Sequence, residues 1–152
     1  MKPLKWCVDW KHLKPMEQMM MWFPLIGTQR RIYADLVRQL KTRTPEDMAA
    51  WETYSMEIRE LAGQVSRILI DYLAWPEDTI FLPDDPADIP FWDKTGDLAS
   101  VEAIMAIEKE LKVEMEDVFG EKLSEMTFSQ VIQTINDRRA EPTPERHGFA
   151  PR

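Results

Sequence analysis

Between Thr44-Pro45 and Pro76 the chain carries one apolar seam in which Trp51, Tyr54, Ile58, Leu61, Val65, Ile68, Tyr72 and Trp75 recur at alternating spacings of three and four. That spacing places all eight side chains on one stripe of an α-helix, whereas one face of a strand would need a spacing of two. The flanks agree. Thr44 is a favoured N-cap residue, Pro45 has its φ preset for the first helical position, and Glu46 and Asp47 complement the positive end of the helix dipole. Pro76 has no N–H with which to continue. The pattern predicts a single helix from 45 to 75, with the seam from Trp51 to Trp75 held over about seven turns. Gly63 in its middle costs up to about 1 kcal/mol relative to alanine and permits a bend or a close helix contact. A seam of this length also suits a dimer interface, but the apolar stripes downstream need a partner, which favours burial within one chain.

Around this helix the chain reads as an all-α bundle. Thr28 offers an N-cap for a helix over 29–41, with Ile32, Leu36 and Leu40 on one stripe. Residues 76–96 contain Pro76, Pro83, Pro86 and Pro90, which prohibit helix. Ile80, Phe81, Leu82, Ile89, Phe91 and Trp92 give this long loop apolar anchors, so it is expected to be pinned to the core. Asp97 suits the N-cap of a helix over 98–111, whose expected buried face is Leu98, Val101, Ile104, Met105 and Leu111. Thr127-Phe-Ser-Gln130 has the form of a capping box opening a last helix with Phe128, Val131, Ile132 and Ile135 on its stripe.

The two ends are different. Residues 1–27 are rich in tryptophan and methionine (Trp6, Trp10, Trp22; Met16, Met19, Met20, Met21) and are interrupted by prolines at 3, 15 and 24. Such an arm either packs on its own domain or presents a docking surface, and packing is the expectation because large soft side chains fill irregular gaps. From Asp137 onward periodicity stops and three prolines intervene, so 137–152 is expected to be a disordered tail. The chain thus divides into 1–44, an arm and short helix packing on the bundle, 45–136, the bundle, and 137–152.

Charge narrows the partners. The net charge is -8, which gives nucleic acid and anionic lipid no global attraction. The distribution is uneven. Residues 1–41 hold eight Lys/Arg against three Asp/Glu, whereas residues 76–117 hold thirteen Asp/Glu against three Lys. An acidic region of this kind fits a basic protein partner or a plainly solvated face. The single cysteine, Cys7, excludes an internal disulfide and fits a reducing compartment. The longest apolar cluster, Met19 to Ile26, is too short to span a bilayer and contains Pro24. A cytoplasmic location is expected.

Residues 96–111 resemble the second helix of an acyl carrier protein. In that family Asp-Ser-Leu precedes Val-Glu and an apolar run, and the serine carries phosphopantetheine. Here Leu98, Val101, Glu102, Ile104, Met105, Ile107 and Leu111 follow the pattern, while Gly96 and Asp97 stand at the Asp-Ser positions. Aspartate cannot form the phosphodiester, so the resemblance implies a carrier fold without the carrier's cofactor. It covers residues 57–136, in the order long helix, long loop, helix, short helix ending at Gly120, and capped helix. Residues 1–56 have no counterpart in a plain carrier domain. The expected fold is therefore all-α, a helical bundle with an acyl-carrier-like C-terminal half and an N-terminal helical extension.

Catalytic constellations are not evident in the sequence. His12 and His147 lie in the irregular termini, and Cys7 has no histidine partner at a dependable spacing. A Cys7/His12 metal pair would need two more ligands. Asp84, Asp85 and Asp88 lack the glycine and terminal glutamate of a calcium loop. No glycine-rich phosphate loop is present. Ser100 lies nearly one turn inside the helix, away from the place a phosphopantetheine arm requires. The expectation is a non-enzymatic interaction module without cofactor or metal. It would dock a basic partner, such as an enzyme of acyl or polyketide metabolism, through Asp97, Glu102, Glu108 and Glu110. Alternatives are a small acidic inhibitor of the immunity or antitoxin kind, and a carrier modified at an unorthodox serine.

Overall fold

A computed structural model describes residues 2–7, 28–94, 98–115 and 122–140. Among these residues the structure is an all-α bundle with no strand. Its helices are α1 (Thr28–Leu40), a 3-10 helix (Pro45–Trp51), α2 (Met56–Leu73), α3 (Ala99–Leu111), a single 3-10 turn (Leu123–Glu125) and α4 (Phe128–Ala140). One hydrophobic cluster joins them all, running from Leu4 through Ile32 and Leu36, along Leu61, Val65 and Leu69, to Ile107, Phe128 and Ile135. Helix α2 is its centre and packs against both α3 and α4.

The predicted helix 45–75 is two elements. It breaks after Trp51, passes through a turn at 52–55 and restarts at Met56. Thr53, Tyr54 and Ser55 are weaker helix formers than the flanking residues, and Ser55 is an efficient restart: its hydroxyl accepts the Ile58 amide at 3.3 Å. Burial provides the rest of the reason. Trp51, 3% exposed, turns inward, donates its indole N–H to the Phe81 carbonyl at 3.0 Å and meets Phe128 edge-on at 6.0 Å. The capping expectation at the start of the segment holds, with Pro45 in the first turn and the Thr44 amide donating to the Asp47 carboxylate at 2.6 Å. Tyr72, also assigned to the seam, is exposed.

The loop after α2 is pinned, as its anchors imply. Trp75, Phe81, Leu82, Ala87, Ile89 and Phe91 are buried. Ala74 ends α2 in the left-handed conformation, and its carbonyl accepts both the Lys94 ammonium at 2.6 Å and the Tyr33 hydroxyl at 3.2 Å. Helix α4 starts against this loop. The amides of Phe128 and Ser129, which helix geometry leaves without partners, donate to the carbonyls of Asp85 and Pro83 at 2.8 and 2.9 Å. The capping box is present beside them: the Thr127 amide donates to the Gln130 side chain at 2.8 Å, and the Gln130 amide returns to the Thr127 hydroxyl at 3.4 Å.

Asp85 is the hub of the loop. Fully buried, it accepts the amides of Leu4 at 2.8 Å and Leu82 at 2.7 Å, and both guanidinium nitrogens of Arg43, at 2.6 and 2.7 Å. This bidentate pair, with side chains 3% and 0% exposed, ties the N-terminal residues, the segment after α1 and the loop to one carboxylate. Residues 2–7 accordingly pack on the domain, with Leu4 buried and Trp6 edge-on to Trp92 at 5.4 Å. The remainder of the Trp/Met arm, 8–27, lies outside the described residues. The tail expectation needs correction at its start, because α4 continues to Ala140. The Asp137 carboxylate accepts Gln133 at 3.0 Å, and Arg138 donates to the Glu114 carbonyl at 2.8 Å. Residues 141–152, and Gly120 with the short helix it would end, lie outside the described residues.

Candidate functional site

Helix α3 is apolar nearly all round, so its periodicity does not choose which face is buried. The structure buries Ala103, Ala106, Ile107 and Leu111, the side packed on α2. Alanines at the contact let two helix axes approach closely, and the bulkier residues rotate outward. This reverses much of the expected face. Leu98 is 68% exposed, Val101 47% and Met105 61%, while Ile104 is only partly buried and Leu111 alone is buried as expected.

The three exposed residues share one stripe, separated by spacings of three and four. Glu102 is exposed beside Val101 and Met105 on that stripe. Lys109 and Lys112 continue it toward the C-terminal end, where cations complement the helix dipole. Glu110, also exposed, is turned about 120° away from Leu98 around the helix axis. Glu108 is half-buried, and one of its carboxylate oxygens accepts the Met115 amide at 2.7 Å. Its bond is to the segment following α3, so part of its acceptor capacity is spent within the fold.

Asp97 lies outside the described residues. The N-cap position of α3 belongs to Leu98, which adopts φ 63° and makes no side-chain capping bond, so the expected capping by Asp97 is displaced by one residue. A leucine in the left-handed region carries a backbone cost of about 1–2 kcal/mol, which burial of its own side chain does not offset, since that side chain points to solvent. Of the four acidic residues selected from the sequence, the helix thus presents Glu102 on the apolar stripe, Glu110 away from it and Glu108 partly engaged.

The outward apolar stripe itself was not expected from the sequence. Its signal was available in the two alanines, Ala103 and Ala106, which mark the close-contact side of a helix that has apolar residues to spare.

Titration is perturbed at one described cluster. The Lys94 ammonium lies 3.7 Å from the centre of the Tyr33 ring and 5.4 Å from that of Trp75. Burial pushes Lys94 below the usual lysine range and Tyr33 above the usual tyrosine range. Both groups bind the Ala74 carbonyl, and the cluster closes the end of α2. Among the described residues no group of three or more metal-ligating side chains converges, and no helix is long and apolar enough to cross a membrane. Comparison with protein-family models, with curated proteins and with solved structures gives no match to this chain.

Proposed function

We propose that this chain is a non-enzymatic interaction module of acyl-carrier-like architecture, which docks a basic protein partner through the outer face of α3. The supporting observation is the stripe Leu98, Val101 and Met105, exposed together with Glu102 at its side. A small domain that buries the alanines of a helix and leaves its leucine, valine and methionine in water keeps an apolar surface at a cost in solubility, as binding faces do. The acidic balance of residues 76–117 supplies the sign of the partner. In this reading the apolar stripe provides contact area and Glu102 and Glu110 steer association, acting on rate and salt dependence more than on affinity. Position 97 carries no prosthetic arm, and the module binds without delivering a substrate.

The test is a comparison of full-length chains as bait in extracts of the native host. Val101→Ser/Met105→Ser removes the apolar contact, and Glu102→Lys reverses the neighbouring charge. The expected result is one or more basic proteins retained by the wild type and lost with both variants, with retention falling as salt rises. Identical captures by all three baits would end the proposal. Intact mass after exposure to a phosphopantetheinyl transferase is expected to be unchanged.

A further inference from the structure

A cleft of about 840 Å³ lies between the 3-10 helix, α2 and the loop, on residues 45–81 and apart from α3. Its volume is within the range of ordinary small-molecule sites, about 300–1,000 Å³. The walls are apolar where they are deepest: Trp51 and Phe81 line it with Ala62 and Ile70. Gly63 stands on the α2 wall, and a side chain added there would meet nothing within 4 Å. A glycine in mid-helix facing empty space sacrifices helix stability for room. Thr79 also lines the cleft. It is 9% exposed, and its hydroxyl has no hydrogen-bond partner among the described residues.

Charge defines the ligand further. Arg59 and Arg67 flank Gly63, one turn to either side, and neither forms an ion pair with a described residue. Glu46 and Glu52 stand on the opposite wall, with Asp71 and Glu77 also lining the cleft. A simple anion would meet the arginines but face four carboxylates, and a simple cation would meet the reverse. A molecule bearing both charges around an apolar body satisfies the two walls together. We propose that this cleft binds a short apolar peptide with free ends. Its carboxylate lies between Arg59 and Arg67 over Gly63, its ammonium meets Glu46 and Glu52, and its side chains contact Trp51 and Phe81. This site is independent of the α3 face, and either can fail without the other.

The experiment uses the full chain, labelled with nitrogen-15, and leucyl-phenylalanine as the probe, with its N-acetylated and C-amidated forms as controls. Titration to about 10 mM covers the millimolar range expected of a weak specific site. The free dipeptide is expected to shift the amides of Gly63 and Thr79 saturably. Each blocked form is expected to bind about tenfold more weakly or worse, the loss of one charge-assisted contact. Gly63→Leu, which projects a side chain into the place assigned to the peptide carboxylate and removes a helix-weakening glycine, is expected to abolish binding with no loss of thermal stability. Arg59→Gln/Arg67→Gln is expected to remove the difference between free and amidated peptide, and it decides the matter should Gly63→Leu melt below the wild type. No saturable shift at Gly63, equal binding of the blocked forms, or full binding by a folded Gly63→Leu chain would overturn the proposal.

Discussion

Replacing Asp85 with alanine removes the buried acceptor on which the N-terminal residues, the segment after α1 and the long loop converge. The carboxylate accepts four hydrogen bonds, two from the Arg43 guanidinium and two from the amides of Leu4 and Leu82. Bonds to charged groups contribute about 1.5–3 kcal/mol each, so a naive sum reaches about 6–12 kcal/mol. That sum ignores the cost of removing both ions from water, which nearly cancels the attraction between them. What the truncation does expose is a guanidinium with 3% of its side chain accessible, left with the Ile80 carbonyl at 2.6 Å as its remaining acceptor. Removing one partner of a buried pair costs about 3–5 kcal/mol. For a chain of this size that corresponds to a fall in Tm of roughly 6–20 °C. Urea denaturation of the wild type, Asp85→Ala, Arg43→Met and the double variant measures it. The double variant is expected to recover much of the loss, because it leaves no charge stranded. Hydrogen exchange at the Leu4 and Leu82 amides is expected to accelerate in Asp85→Ala. A loss below about 1 kcal/mol, the value of an exposed pair, would refute the claim that this carboxylate holds three segments together.

Two further outcomes follow from caps and titration. Thr127→Ala removes one arm of the capping box at α4 and is expected to cost about 1 kcal/mol in urea denaturation. Because α4 still takes the Asp85 and Pro83 carbonyls at its first amides, the helix is expected to persist by circular dichroism. In alkali Lys94 and Tyr33 act in opposite directions. Lys94 has its folded pKa lowered, so between that value and the unfolded one the unfolded chain holds more protons and stability rises with pH. Tyr33 has its folded pKa raised, so the folded chain holds more protons and stability falls as pH climbs past the unfolded tyrosine value near 10.0. Lys94→Met is expected to remove the first contribution and steepen the alkaline loss, read from urea midpoints across that window. A flatter profile in Lys94→Met would show that the sign is wrong.

Local chemistry was legible because each signal acts within a few residues. Thr127 with Gln130, Pro45 in the first turn and the stripe Ile32, Leu36 and Leu40 could be placed from the sequence, and all appear where the pattern puts them. The loop anchors Phe81, Ile89 and Phe91 belong to the same class, since proline forbids helix there and bulky apolar residues still require burial. By itself, then, the sequence determined an all-α chain, the starts of the 3-10 helix and of α4, and the fact that its long loop is held down.

Only tertiary packing decided the rest. The spacing of Trp51, Tyr54 and Ile58 is compatible with one continuous helix, and the chain breaks there because Trp51 finds both a carbonyl and an aromatic neighbour by turning inward. Leu98, Val101 and Met105 satisfy a helical period as well as Ala103 and Ile107 do, and it is contact with α2 that selects the alanine side. Asp85 looked like one of three loop aspartates until Arg43, 42 residues earlier, met it in the interior. Periodicity specifies which residues share a face, but which face is buried depends on the shape of the surface that arrives from elsewhere in the chain.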